Sequence, residues 1–452
     1  MSHNHSELRR EAVQVWAIAW PVILTNLLKV MVGIVDLKMV GALGTTSIAA
    51  VGMARHVMMF LMVLTIAVSG GSSVLVAHAY GSGDRKRVST VASRSIVVMV
   101  AVAILAVTPA GLLFSRPILL SLGGAEAVVD LGCSYLRILF LGSVFAMFNF
   151  AVTGILLGVG KTRVSLVLLI GINGLNVVLN YLLIFGVGPF PAMGVAGAAL
   201  GTVIARAIGS AAGCWIAVSP RFPVQARLRD GLVLDMPLVR RIVKLGGPRS
   251  LQGIVRNFSR LMTLRIITLL PDSTRMVSAY SVGMQVRMIS TFVGLAFMAA
   301  ASARVGQNLG GGRPDRAEQS GWASAVIATA FMSVIACLLF LFPEHVMAFF
   351  TSDREVIAMG RTFFIIVAVT EPIMALSFAM GGALRGGGDP MSPFIYGSVS
   401  DLLVVIVAGY VLAVTLNMGF AGIALGMAIS AVTRAIPTML KFRQGKWKSA
   451  RF

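Results

Sequence analysis

Acidic residues are scarce in this chain: 17 Asp and Glu stand against 38 Lys and Arg, for a formal net charge of +21. Charge of either sign is thin as well, at 12% of 452 residues, where a soluble domain carries about 25%. With 57% hydrophobic residues and a mean hydropathy of +0.89, that shortage excludes a water-soluble fold. Cysteine is scarcer still. Cys133, Cys214 and Cys337 are far apart, each within an apolar run, so they read as small buried hydrophobes and exclude a disulfide framework or a thiolate zinc site. His3 and His5 are terminal, without the spacing partners of a metal site, and read as solvated. Gly160-Lys161-Thr162 ends like a phosphate-binding loop, but Ile155 stands where the first glycine is required. No His/Glu metal pair and no Ser/His/Asp set is recognisable, so the residues point away from an enzyme and imply no cofactor.

What fills the chain instead is a succession of apolar stretches from Val13 to Lys441. Each is about the 20 residues that a helix needs to cross a bilayer core of roughly 30 Å. Glycine, proline and charge clusters separate twelve expected spans. The first six run Val13 to Val40, Ile48 to Ala79, Val91 to Phe114, Val128 to Leu157, Val164 to Val187 and Gly194 to Val218. The second six run Ile242 to Leu270, Val277 to Val305, Trp322 to Phe342, Val356 to Leu384, Pro393 to Leu416 and Phe420 to Leu440. The polar stretch Met1 to Glu11 is followed by an apolar run longer than a signal-peptide core, which reads as a retained first span.

The location of the positive charge decides its meaning. Arg85 to Arg87, Lys161 and Arg163, Arg221 through Lys244, Arg313 and Arg316, and Arg385 all fall in breaks after even-numbered spans, whereas the breaks Gly41 to Ser47, Gly186 to Met193 and Asn417 to Gly419, after odd-numbered spans, carry almost no charge and the Pro343 to Glu355 loop is mildly acidic. Clustered Lys and Arg could neutralise nucleic-acid phosphates, but this alternation is the pattern of basic loops held on the cytoplasmic side of a membrane. The expectation is a multi-pass protein of the plasma (inner) membrane with both termini cytoplasmic, surrounded by membrane lipid, with no nucleic-acid partner.

The chain also repeats itself. Tyr80-Gly-Ser-Gly-Asp84 is echoed by Leu309-Gly-Gly-Gly-Arg313, Gly158-Val-Gly-Lys-Thr162 by Gly386-Gly-Gly-Asp-Pro390, and Met193-Gly-Val-Ala-Gly-Ala-Ala-Leu-Gly201 by Met418-Gly-Phe-Ala-Gly-Ile-Ala-Leu-Gly426. The order is kept, at offsets of about 225–229 residues, so the repeating unit is six spans. Six is even, so the second unit starts on the same side as the first and the two are parallel repeats. In such transporters the substrate path lies between the halves, near the bilayer midplane. The fold class expected is an all-α membrane protein of twelve transmembrane helices in two pseudo-symmetric six-helix lobes, residues 1–219 and 245–452, joined by a basic cytoplasmic linker over 220–244 and ending in a basic tail.

Several stretches resemble the multidrug and toxic compound extrusion (MATE) transporters, and the resemblance covers essentially the whole chain. They are Pro21-Val-Ile-Leu to Val35-Asp36 with Met39-Val-Gly41, Ala49-Ala-Val-Gly52, Tyr135-Leu-Arg-Ile138, Leu156-Leu-Gly-Val-Gly160, Asn176-Val-Val-Leu-Asn180-Tyr-Leu-Leu-Ile-Phe-Gly186, Met193-Gly-Val-Ala-Gly-Ala198 and Leu384-Arg-Gly386. The resemblance implies an efflux antiporter whose two six-helix lobes enclose a central cavity and whose work is driven by inward proton or sodium flow. Asp36 matches the family's acidic residue in span 1. Two positions depart from the branches of the family: Asn180 stands where the DinF-like branch usually has Asp, and Arg256 stands about where the NorM-like branch tends to carry an acidic residue.

The residues that could carry ion coupling are Asp36, Asn176 and Asn180. A charge in a membrane helix costs roughly 2.5–3.5 kcal/mol on insertion scales, so it tends to face a cavity and to be functional. Two readings of Asp36 stand: a site that exchanges a proton, or a fixed salt bridge with Lys29 or Lys38. Asn176 and Asn180, four residues apart, share one helix face and either relay changes at Asp36 or hydrogen-bond neighbouring helices. The candidates for the substrate cavity are Lys29, Arg256, Arg260, Glu371 and Asp401. Glu371 precedes Pro372, which removes a helix hydrogen bond and favours a kink, and it is either a site carboxylate or a partner of Arg361 or Arg137. Asp401 occupies the repeat position of Asn176. Arg249, Arg256 and Arg260 follow one another at seven and four residues along one stripe of span 7, and Lys29 is the repeat counterpart of Arg256. Such a stripe favours an anionic or zwitterionic substrate, unless it pairs with Asp36, Glu371 or Asp401.

The function expected is a secondary active efflux transporter for small organic or drug-like solutes, acting as a monomer by antiport with protons, sodium being the second choice of ion. A flippase for a lipid-linked anionic head group is the alternative within transport. A membrane enzyme is the alternative from another class.

Overall fold

The computed structural model describes residues 2–220, 222, 224–227, 231 and 235–449, without the side chains of residues 2–6 and 59–61. The side chains of His3 and His5 and much of the expected basic linker are therefore not described. Twelve long helices and no strand are present among the described residues. They are α1 (Ser2–Gly41), α2 (Thr45–Gly81), α3 (Arg85–Ser121), α4 (Glu126–Leu141 continuing as Ser143–Val159), α5 (Thr162–Phe185), α6 (Gly194–Val218), α7 (Met236–Ile267), α8 (Ser273–Gly310), α9 (Pro314–Leu341), α10 (Arg354–Gly386), α11 (Met391–Thr415) and α12 (Gly419–Arg443). Ten are long and apolar enough to cross a membrane, and α4 makes an eleventh when its two segments, bent by 53°, count as one span. The helix that fails on composition is α7, whose seven basic residues from Arg240 to Arg265 dilute its apolar content.

The chain forms two compact units, one comprising Leu24–Gly247 and the other Met1–Ile23 with Pro248–Phe452. This differs from the lobe boundaries expected from sequence: the first unit extends to Gly247, and the first half of α1 belongs with the C-terminal helices. Polar and aromatic contacts hold it there. Arg304 Nη2 donates to Glu11 Oε1 at 2.9 Å and Oε2 at 2.7 Å, Ser320 Oγ donates to the same carboxylate at 2.7 Å, and Trp16 packs on Phe297 and Phe331. The crossings fall two residues after Pro21 in α1 and at Pro248 in α7.

Within each unit the helices approach through the same device. In a membrane, small residues let helix backbones come together, because lipid supplies no hydrophobic push between them. In the first unit Gly154 and Gly158 of α4 lie on Ser69 and Ser73 of α2, so close that a Cβ would fall 2.9 Å and 2.5 Å from their carbonyl oxygens. In the second, Gly382 and Gly386 of α10 lie on Met298 and Ser302 of α8, with corresponding distances of 2.2 Å and 2.3 Å. The pairs are offset by 228 (154 to 382) and 229 (69 to 298) residues, the spacing of the sequence repeat. The duplication is thus visible as two copies of one backbone contact.

Around these contacts the cores are apolar. Phe363, Phe364 and Tyr280 are buried in the second unit, where Phe363 stacks on Phe420. Only Cys133 is buried; Cys214 and Cys337 sit on the exposed outer surface, where an apolar run facing lipid gives a thiol no reason to be covered. π-Helical turns interrupt α3 at Ala103–Val107 and α11 at Ser400–Ala408 and Val411–Thr415, and such turns leave backbone carbonyls displaced and are frequent at functional sites.

Candidate functional site

Two sets of polar side chains stand inside the apolar helices, one in each unit, and their chemistry is opposite.

In the unit Leu24–Gly247, Asp36 of α1 is half-buried and accepts a hydrogen bond from Asn180 Nδ2 of α5 at 2.9 Å. Asn176 Nδ2 donates to Asn180 Oδ1 at 3.3 Å and to Thr202 Oγ1 of α6 at 3.0 Å, and the Thr202 hydroxyl donates to the Ala198 carbonyl at 2.9 Å. Asn176 and Asn180 are almost fully buried. Gly201 of α6 makes room for this chain, since a Cβ there would fall 2.4 Å from Asn180 Oδ1. The sequence placed Asp36, Asn176 and Asn180 as candidates; Thr202, unremarkable in an apolar run, completes the connection to a third helix.

No ion pair holds Asp36 among the described residues, so the salt bridge with Lys29 or Lys38 is not formed. Lys29 instead carries its ammonium 5.9 Å from the centroid of the Phe150 ring. The positive charges acting on Asp36 come from Arg55 and Arg206. Arg55 is directed elsewhere by a 2.9 Å bond from its guanidinium to the Gly33 carbonyl. Neither residue was singled out from sequence, although a lone arginine inside an apolar run such as Gly194–Val218 is itself a signal. An apolar groove of about 610 Å³ between α5 and α6, lined by Val167, Leu175, Trp215 and Phe222 among others, contains no carboxylate. It is separate from this chain.

In the other unit the candidates are arginines. Arg249, Gln252, Arg256 and Ser259 lie at spacings of three, four and three on one stripe of α7. Gln252 Oε1 accepts from Arg385 Nη2 of α10 at 2.7 Å, while the Gln252 amide nitrogen lies against Gly397 of α11, where a Cβ would come within 2.0 Å of it. Arg434 of α12 donates to the Gly397 carbonyl at 3.4 Å and forms an ion pair with Asp401. Ser259 in turn donates to the Asp401 main-chain carbonyl, which lies in the π-helical part of α11. Arg385, Asp401 and Arg434 are each about 8% exposed. Arg385 was expected in a basic loop after span 10; it stands instead in the last turn of α10, held inward by Gln252 and by the Met298 sulfur.

Glu371 is the second carboxylate of this unit. It is 2% exposed and pairs with Arg287 of α8 at 3.0 Å. Arg361, one partner weighed from sequence, binds Glu344 at 3.2 Å, and Arg137 belongs to the other unit. Glu371 is therefore a neutralised carboxylate, and Arg287 and Arg434 are paired cations that a reading of each apolar run for every embedded charge would have revealed. Arg260 is exposed and makes no hydrogen bond or ion pair among the described residues; its charge reaches Tyr280 together with that of Arg287. Charges in a membrane span cost roughly 2.5–3.5 kcal/mol each when left alone, so helices that carry this many define a polar site rather than a packing accident.

About twelve long helices, most of them apolar enough to cross a membrane and carrying buried polar side chains, define a multi-pass membrane protein. Residues 21–182 and 248–411 match the MatE family, and the chain belongs to that family, one of transporters and not of enzymes. It is 27% identical over 449 residues to a probable multidrug resistance protein NorM of Thermotoga maritima, covering 98% of this chain and 94% of that protein. It is 28% identical to a probable multidrug resistance protein NorM of Bradyrhizobium diazoefficiens, with 97% and 94% covered. Among solved structures, an outward-facing multidrug resistance MATE family transporter of the MOP superfamily superimposes with a TM-score of 0.88 at 20% identity, over 98% of this chain and 97% of that one. A MOP superfamily transporter from Pyrococcus furiosus, described as having a binding pocket of reverse polarity, superimposes with a TM-score of 0.86 at 21% identity, over 96% and 95%. At that identity the likeness carries the fold alone.

Proposed function

We propose that this chain exports a small organic solute from the cytoplasm by antiport with protons, in the plasma (inner) membrane, with both termini cytoplasmic. The orientation follows from the basic breaks after the even-numbered helices. The observation that carries the coupling is the run Asp36, Asn180, Asn176, Thr202: a membrane carboxylate whose direct partner is a neutral amide, not a cation.

The chemistry follows from donors and acceptors. An ionised carboxylate only accepts, while a protonated one also donates. Protonation of Asp36 removes the charge that holds the Asn180 N–H and supplies an O–H in its place. Asn180 can then turn its carbonyl toward Asp36 and its N–H away, which reverses the sense of the bond to Asn176 and to Thr202. Three helices, α1, α5 and α6, are thereby biased between two packings by one proton, and a ligand bound differently by the two is released. An N–H aimed at the carboxylate favours a proton over sodium as the ion, because the positive end of that bond points where a metal cation would sit.

The test is transport into and out of proteoliposomes with the membrane potential clamped. Fluorescein and ethidium serve as anionic and cationic probes, under an imposed pH gradient and, separately, an imposed sodium gradient. The expected outcome is counter-movement of a probe under the pH gradient and none under sodium at matched pH, with Asp36→Asn abolishing the movement at normal protein abundance. Undiminished gradient-driven transport by Asp36→Asn overturns the assignment.

A further inference from the structure

The guanidinium set in the unit Met1–Ile23 with Pro248–Phe452 has no part in the coupling chemistry of Asp36, and its internal accounts do not balance. Arg256 acts on both Arg249 and Arg385, and Arg434 acts on Arg256 and Arg385; among the described residues Asp401 is the one carboxylate that pairs with Arg434 and whose charge reaches Arg256, while no carboxylate acts on Arg249 or Arg385. Four cations thus face one anion. Arg249 and Arg256, both half-buried, make no hydrogen bond or ion pair among the described residues. The unsatisfied atoms continue deeper. Among the described residues, Arg385 Nε, Arg434 Nε and Asp401 Oδ2 are buried and without a partner, in residues that are each about 8% exposed. Glu371 does not complete the set, because Arg287 already neutralises it.

Geometry ties these groups into one place. Arg385 and Gln252 are bonded, Gln252 touches Gly397, Arg434 donates to Gly397 and to Asp401, and Ser259 donates to Asp401. Helices α7, α10, α11 and α12 therefore converge on a small volume with several N–H donors to spare. Donors of this kind, planar and permanently charged, match carboxylate and phosphate oxygens. Asp401 already occupies the Arg434 fork through one oxygen, as a resident carboxylate does when it stands in for a ligand.

We infer that Arg249, Arg256, Arg385 and Arg434 form an anion-binding site in which Asp401 is the resident counter-ion, and that the solute carried by this transporter bears a carboxylate or phosphate group. The inference about cargo rests on the antiport reading; the inference about the site does not. An incoming anion takes over donors from Asp401, and the more the Arg434–Asp401 pair is populated, the weaker the apparent affinity for the ligand.

Binding of fluorescein, measured by anisotropy with the full chain in phosphatidylcholine nanodiscs, tests the site without requiring transport. Fluorescein is expected to bind and ethidium not to, with binding weakened by salt. Arg256→Gln and Arg249→Gln, at half-buried positions, are each expected to weaken fluorescein binding about ten-fold, the loss of one charge-assisted contact. Asp401→Asn is expected to tighten it by about three-fold or more through removal of the competitor, whereas a role confined to packing would weaken it. Nanodiscs containing phosphatidylglycerol distinguish the source of the anion: loss of fluorescein binding there assigns the site to lipid-borne head groups, and unchanged binding to free solutes. Equal affinity for the two dyes, or fluorescein binding unaltered in both arginine variants, overturns the site. Fluorescein binding without gradient-driven movement of any probe sustains the site and overturns the antiport reading instead.

Discussion

The two halves of this molecule share a scaffold and differ in sign. Gly154 and Gly158 on α2 correspond to Gly382 and Gly386 on α8, so the backbone contact that sets helix spacing is common to both. The polar groups hung on that scaffold are not. Asp36 in the first unit has Thr263 at its repeat position, Asn176 has Asp401, and Lys29 has Arg256. One unit ends with a carboxylate among amides and the other with a carboxylate among guanidiniums. What the difference teaches is that packing and charge are separable in a duplicated membrane fold. Small residues fix the approach of the backbones, and the polar residues between the helices are then free to diverge, into a carboxylate held by amides in one unit and a carboxylate held by guanidiniums in the other.

The sharpest way to test that separation is to remove the cation from a buried pair in the charged unit. Glu11, 6% exposed, depends on Arg304, with Ser320 and a weak 3.4 Å bond from Asn308 as its remaining donors. Arg304→Met strands the carboxylate, and removal of one partner of a buried pair costs about 3–5 kcal/mol. A large fall in the thermal unfolding temperature of the detergent-solubilised protein is expected, with the first half of α1 released from its unit. An unchanged melting temperature would show that Glu11 reaches water and that the pair is not structural.

A smaller effect is expected at the shared scaffold, and here the comparison predicts equality. Gly158→Ala and Gly386→Ala each drive a Cβ against a carbonyl oxygen of the facing helix, at 2.5 Å and 2.3 Å, so the backbones must part. Overpacking of this kind costs about 1–3 kcal/mol. Melting temperatures lowered to a similar extent in the two variants would confirm one scaffold used twice; a loss confined to one of them would break the correspondence.

How much of this was legible before the structure follows from the range over which each interaction acts. Hydropathy places the helices because every residue of a span contributes to it, and the loop repeats establish the duplication because they are local. Asp36, Asn176 and Asn180 were visible as candidates since a polar residue in an apolar run is conspicuous by itself. Their partners were harder. Thr202 is unobtrusive in any helix, and the pairs Glu371 with Arg287, Asp401 with Arg434 and Glu11 with Arg304 lie 84, 33 and 293 residues apart. Pairing over such distances is decided by which helices pack together, and neither periodicity nor propensity records that. Arg385 was misplaced for a related reason: a basic residue at a helix end looks like a loop residue until the neighbouring Gln252 is known to hold it inward.

The smallest effect concerns a carboxylate that belongs to neither charge set and so serves as the baseline for both. Asp353 caps the N-terminus of α10, its side chain accepting from the backbone N–H of Glu355 at 2.9 Å and of Val356 at 3.3 Å. The N–H of Val356 and then that of Glu355 hold its pKa below the ordinary 3.8, with Arg275 adding to them. A carboxyl group depressed in this way stabilises the folded state fully above its unfolded value and loses that contribution as pH falls through the lower folded one. Asp353→Ala should therefore lower the melting temperature slightly at pH 7, and the gap between variant and parent should close as the pH is taken below 3.8. Fluorescein binding and gradient-driven transport at pH 7 should be unmoved, because the cap contacts neither Asp36 nor Arg249, Arg256, Arg385 or Arg434. A melting gap that persists at low pH would assign the cap's contribution to the loop geometry of Asp353 and not to its charge.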